Sequence, residues 1–152
     1  MNSKRIWTAL AAAGLVALGA ATPAVASSYY SASSPLTAWQ DGVAQAQMFG
    51  SYSISNLSYA KNSTNQRDPR PGGDYVYEET FYNWYDGSGT FVTDIGTDTS
   101  AKTNTSSWYA QADQHPLQGC CVRVRMYTNV CEDHGAWLKD PCSSRPTQRF
   151  EY

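Results

Sequence analysis

Three of the four cysteines of this chain, one of its two histidines and two arginines fall between Gln118 and Trp137, in the run QGCCVRVRMYTNVCEDHGAW. Residues of these types in one short stretch suit three kinds of chemistry. A cysteine nucleophile needs a free thiol of low pKa beside a histidine. A zinc knot needs ligands at short fixed spacing, such as C-x-x-C. A disulfide framework needs an even set of cysteines and an oxidising compartment. Cys120 and Cys121 are adjacent, and Cys131 and Cys142 follow at intervals of ten and eleven residues, which is not a zinc-knot spacing.

The N-terminus decides among the others. Lys4 and Arg5 precede an uncharged, mostly apolar run from Ile6 to Ala21. Pro23 breaks that run, and Ala24-Val25-Ala26 supplies a small-x-small cleavage site. The run is shorter than the about 20 residues of a transmembrane helix. Residues 1–26 therefore read as a secretory leader, and Ser27 to Tyr152 as a secreted, extracellular protein. Export makes two disulfides the expected state of Cys120, Cys121, Cys131 and Cys142, with three pairings open. A Cys120–Cys121 bond is disfavoured, because joining adjacent residues strains the local backbone. Neighbours on a strand point to opposite faces, which lets the two cysteines staple in two directions. Val122, Val124 and Met126 alternate with Arg123, Arg125 and Tyr127 as in a half-buried strand, and EDHG follows as a turn. The stretch reads as a stapled hairpin.

Other constellations carry less. Glu78 and Glu79 diverge from a strand and make a poor acid–base pair. Gly87-Ser88-Gly89 is not a serine-hydrolase elbow, and Asp94 and Asp98 lack the ligand density of a calcium loop. Asp113, His115 and His134 have metal-binding side chains, but Pro116 marks a loop or strand end there. A small secreted ribonuclease using Glu79, Arg125 and a histidine is the remaining enzymatic reading. The Glu-Tyr and Arg-His contexts of microbial guanyl-specific ribonucleases are missing. No cofactor and no metal is expected. Loss of Lys4 and Arg5 with the leader leaves 9 basic residues against 13 acidic, a balance that speaks against nucleic-acid binding.

The elements that carry these side chains are short. Residues 27–48 begin with the polar SSYYSASSP and read as an extended arm, with Leu36, Trp39, Val43 and Ala46 spaced for a short helix. Residues 49–152 form the domain. Asn62 to Gly73 reads as a polar loop. Tyr75 to Tyr85, a DGSG turn and Thr90 to Ile95 read as a hairpin. A symmetric turn sets Tyr85 opposite Thr90 and Trp84 opposite Phe91. Thr80, Tyr82, Trp84, Phe91, Thr93 and Ile95 then face the core. Glu79, Phe81, Asn83, Tyr85, Val92 and Asp94 face away, joined by Tyr75 and Tyr77 unless a bulge at Glu78-Glu79 shifts the register. Further strands are expected over Thr103–Ala112, Val122–Val130, Ala136–Leu138 and Gln148–Tyr152. The fold class is all-β, a small disulfide-stapled antiparallel β-sandwich with an extended N-terminal arm.

An alanine-rich leader, a tyrosine- and threonine-rich β domain and a cysteine-stapled end resemble small exported proteins of filamentous actinobacteria. Among these the layout is similar to the adaptor subunit of umbrella toxin particles. That resemblance implies an adaptor in an extracellular toxin complex, partnered by lectin and large repeat-protein subunits, with an N-terminal arm lodged in a partner. The residues themselves point to a non-catalytic protein-binding module without membrane insertion. Tyr29, Tyr30, Leu36, Trp39 and Val43 on the arm are costly to leave in water. Phe81 and Tyr85 add an aromatic surface on the hairpin. Deleting Ser27–Thr37 is expected to spare folding and weaken association. A stand-alone bacteriocin-like toxin and a small secreted hydrolase are the alternatives.

Overall fold

Asp41-Gly42 and Asn56-Leu57 turn the first half of the chain. Both pairs take left-handed φ angles (51° and 76°; 50° and 50°), as tight hairpin loops of the I′ kind require. In the computed structural model, which describes residues 25–152, these loops join β2 (Leu36–Gln40), β3 (Val43–Ser55) and β4 (Tyr59–Arg67). Residues 1–24, the bulk of the expected leader, lie outside the described residues. β1 (Ala26–Tyr29) and β2 lie one after the other along the same long β3, and β4 pairs next with β7 (Tyr109–Pro116). The second sheet runs β6 (Phe91–Thr99), β5 (Tyr75–Tyr85), β8 (Arg123–Asp133), β9 (Thr147–Glu151). Every strand pairing is antiparallel, and no helix occurs among the described residues. The chain is an all-β, disulfide-stapled antiparallel sandwich, as its short strands and polar turns predict.

Between the sheets, Tyr29, Leu36, Met48, Tyr52 and Ile54 meet Val76, Tyr82, Trp84, Val124, Met126, Val130 and Phe150. Three of these, Tyr29, Leu36 and Met48, come from the supposed arm. Tyr29 is opposite Gly50 on β3, and a Cβ on Gly50 would lie within 3 Å of both the Tyr29 ring and the Ser63 carbonyl. Gly50 is thus the gap into which Tyr29 packs. The helix expected over Leu36–Ala46 is instead a β2–β3 hairpin, because Asp41-Gly42 is a stronger turn signal than the apolar spacing is a helical one. The boundary placed at residue 49 falls inside β3.

Three other expectations change. The loop expected from Asn62 is a strand as far as Arg67. Its inward side chains Asn62, Thr64 and Gln66 are polar, and groups of the facing sheet satisfy them. Ala136–Leu138 is no strand; Trp137 and Leu138 stand exposed in the loop after β8. The β5–β6 hairpin pairs Tyr85 with Phe91 and Trp84 with Thr93, and β6 carries an extra residue there and again near Ile95-Gly96. Each bulge reverses which face a residue meets. Thr80, Tyr82 and Trp84 face the core as expected, whereas Phe91 and Ile95 are exposed. No bulge interrupts the pairing of β5 with β8, so Tyr75 and Tyr77 stay on the outer face.

The cysteines pair as Cys120–Cys121 and Cys131–Cys142, so the disfavoured neighbour bond is the one formed. Its two residues lie in the turn before β8 rather than on the strand expected to point them in two directions. Cys131 is fully buried, and its bridge fastens the returning chain at Cys142 to the end of β8. Replacing Cys131 and Cys142 together by alanine is expected to cost about 2–3 kcal/mol, given a loop of this length. Denaturant unfolding of the double variant against the parent checks this; an unchanged midpoint contradicts it.

Candidate functional site

The chain that the Cys131–Cys142 staple holds down separates two aromatic surfaces. On one side Cys142, Ser143 and Ser144 form a wall of a cleft of about 470 Å³, whose other lining residues are Tyr30, Pro35, Leu36, Thr37 and Trp39. Leu36 is buried at its base, while Trp39 is 61% and Tyr30 50% exposed. Tyr30 takes a φ of 55° in the turn that leads from β1 to β2. A tyrosine in this region costs conformational energy, which the paired strands on either side supply.

On the other side Arg145 lies over Phe81, 4.3 Å from the ring centroid. Phe81 pairs across β5 and β8 with Tyr127, and the two rings stack at 4.8 Å with 5° between their planes. Arg125, two residues from Tyr127 on β8, lies 5.8 Å from that ring. Tyr85 continues the outer face and meets Phe91 edge-on at 5.9 Å. Cation–π and stacking contacts of this kind hold large side chains in one orientation before any partner arrives. The wall of the cleft and the cap on the ladder belong to one short segment, Cys142–Arg145, so cleft and ladder adjoin.

The expected contact residues divide accordingly. Tyr30 and Trp39 are at the cleft, Phe81 and Tyr85 are on the ladder, and Val43 is exposed at the start of β3. Tyr29 and Leu36 are corrected: both fill the protein's own core, with the Tyr29 hydroxyl donating to Asn62 Oδ1 at 2.9 Å. Arg145, Ser143 and Ser144 were not legible as site residues, since only the disulfide and the return of the chain against β8 bring them there.

A second cluster has the residue types of acid–base chemistry. Glu78 is fully buried, and Thr64, Thr80 and Asn62 all donate to its carboxyl group. Burial pushes it up to about 7, and the neighbouring carboxyl of Asp113 on β7 adds to the rise. Burial likewise raises Asp113. Beside them His115 Nε2 lies 2.6 Å from Asp98 Oδ2, a contact spanning the edge strands of the two sheets. The cleft beside Trp39 does not reach Glu78. The pair is a polar knot between the sheets, closed off at Glu78 and partly open at Asp113.

The ribonuclease constellation is not assembled. Glu79 and Arg125 face outward from the second sheet, His115 lies at the β6–β7 seam, and His134 contacts Glu132 past the far end of β8. The same separation divides Asp113 and His115 from His134. Comparison of the chain with protein-family models, with curated proteins and with solved structures returns no match.

Proposed function

We propose that this is a non-catalytic, secreted protein-binding module that serves as an adaptor or subunit of an extracellular complex. The observation that carries this reading is the cleft flanked by Tyr30 and Trp39. Two large aromatics stay in water at its rim, one of them on a strained backbone, although the same strands bury Tyr29 and Leu36. Tryptophan and tyrosine at the edge of a preformed concavity are the side chains that most often dominate protein–protein affinity. The adjoining ladder of Arg145, Phe81, Tyr127 and Arg125 extends the contact area with groups already held in place. Resemblance to the umbrella-particle adaptor agrees with such a role, with one revision. The segment around Leu36 binds through what it leaves exposed, not by leaving the domain to lodge elsewhere.

Affinity capture from culture supernatant, run in parallel with the parent chain and with Trp39→Ala, tests the proposal. A protein retained by the parent is expected to bind Trp39→Ala at least about tenfold more weakly. The variant's melting temperature should hold, since Trp39 adds little to the core. Equal retention of every protein by both chains would sink this reading.

A further inference from the structure

We infer that Asp74, Glu132 and His134 form a binding site for a divalent transition-metal ion of the zinc class. Distance along the chain hides this set. The sheet closes it: β5 and β8 pair Val76 with Glu132 and Tyr75 with Asp133, so Asp74 and His134 stand one step further on. Glu132 and His134 are two residues apart and turn to the same side, towards Asp74. His134 Nε2 lies 2.9 Å from Glu132 Oε2 and 3.9 Å from Asp74 Oδ2, and one ligand atom from each residue falls within 4.8 Å of the other two. Ligands about 2.0–2.2 Å from a tetrahedral ion are roughly 3.4 Å apart. The two His134 distances therefore each adjust by about half an ångström, and the Asp74–Glu132 separation, within 4.8 Å, closes by at most about 1.4 Å.

Electrostatics favours a cation at this point. Glu132 is only 7% exposed, and among the described residues no lysine or arginine pairs with it. The nearby Lys102 is taken by Asp133. A carboxylate withdrawn from water needs a compensating positive charge. His134 is anchored by its backbone N–H, which donates to Asp140 Oδ1 at 2.9 Å, and Asp140 in turn accepts from the Tyr77 hydroxyl at 2.6 Å. Asp74 is half exposed and makes no hydrogen bond among the described residues, so it can swing in at little cost. One imidazole nitrogen with two carboxylate oxygens suits zinc better than calcium or magnesium, which prefer all-oxygen shells. Three protein ligands leave the fourth position to water or to a group from a partner. A bound ion would tie the chain before β5 to the end of β8, beside the Cys131–Cys142 staple.

Calorimetric titration of zinc ion into the disulfide-intact chain, first stripped with EDTA, tests the site. One equivalent should bind, with a rise in melting temperature. His134→Gln and Asp74→Asn should each weaken binding at least about tenfold, which is the low end of what even an outer-shell partner contributes. Asp74→Asn should melt like the parent in EDTA, because Asp74 supports no other contact. His115→Gln, which removes the other histidine–carboxylate pair, should leave zinc affinity unchanged. The assignment is overturned by the absence of saturable binding, by loss of binding in His115→Gln alone, or by full affinity in Asp74→Asn. Calcium binding as tightly as zinc would overturn the choice of metal class.

Discussion

A chain lacking Ser27–Thr37 is expected to lose cooperative folding, the opposite of what a detachable arm would show. The deletion removes β1, the start of β2, and the core side chains Tyr29 and Leu36. Losing a buried leucine costs about 2–5 kcal/mol and a buried large aromatic about 3–5 kcal/mol. Together these rival the about 5–15 kcal/mol that hold a domain folded. Further losses follow, since Asn62 Oδ1 loses its donor and the edge of β3 from Gly50 to Ser53 loses its partner. Thermal melts followed by circular dichroism decide the matter. A truncated chain melting within a few degrees of the parent would return these residues to the status of an arm. Tyr29→Phe separates the contributions, keeping the ring over Gly50 and leaving only the buried Asn62 Oδ1 without its donor, a cost of about 1–3 kcal/mol.

Glu78 should make the protein less stable as pH rises from about 4.5 to about 7. Its folded-state pKa lies above its ordinary value because burial penalises the charged form, so the folded protein holds a proton that the unfolded chain releases. The favourable contribution is therefore complete below about 4.5, shrinks through this window and is gone above about 7. At about 1.36 kcal/mol for each pKa unit, the loss is on the order of 3 kcal/mol. Asp113, raised by burial as well, acts in the same direction. Glu78→Gln keeps a polar group for Thr64, Thr80 and Asn62 and removes the titration. Urea midpoints measured across this range should fall for the parent and stay nearly level for the variant. Parallel curves would place the pH dependence elsewhere.

Alternation at Val122–Tyr127 and along Tyr75–Tyr85 was enough to read the two central strands of the second sheet, because apolar and polar residues there follow the pleat. Phe81 and Tyr85 could likewise be placed on an outer face, and the all-β sandwich follows from such strands and their polar turns. What one sequence could not supply were features set by distant partners. β4 carries asparagine, threonine and glutamine inward, a pattern that reads as loop until Glu78 and Ser100 of other segments satisfy it. Tyr29 and Leu36 look equally suited to a partner's groove and to this protein's own core, since burial is non-directional and local sequence does not say which surface does the covering. Bulges in β6 moved Phe91 to the outer face, and the return of the chain at Cys142 chose among the cysteine pairings. The sequence by itself determined the strand character of the central strands and that the four cysteines make two disulfides, both properties readable from neighbouring residues and composition. Tertiary structure alone decided the β1–β2 edge, the Glu78–Asp113 knot, the cleft beside Trp39 and the meeting of Asp74 with His134, because each depends on register between segments far apart in the chain.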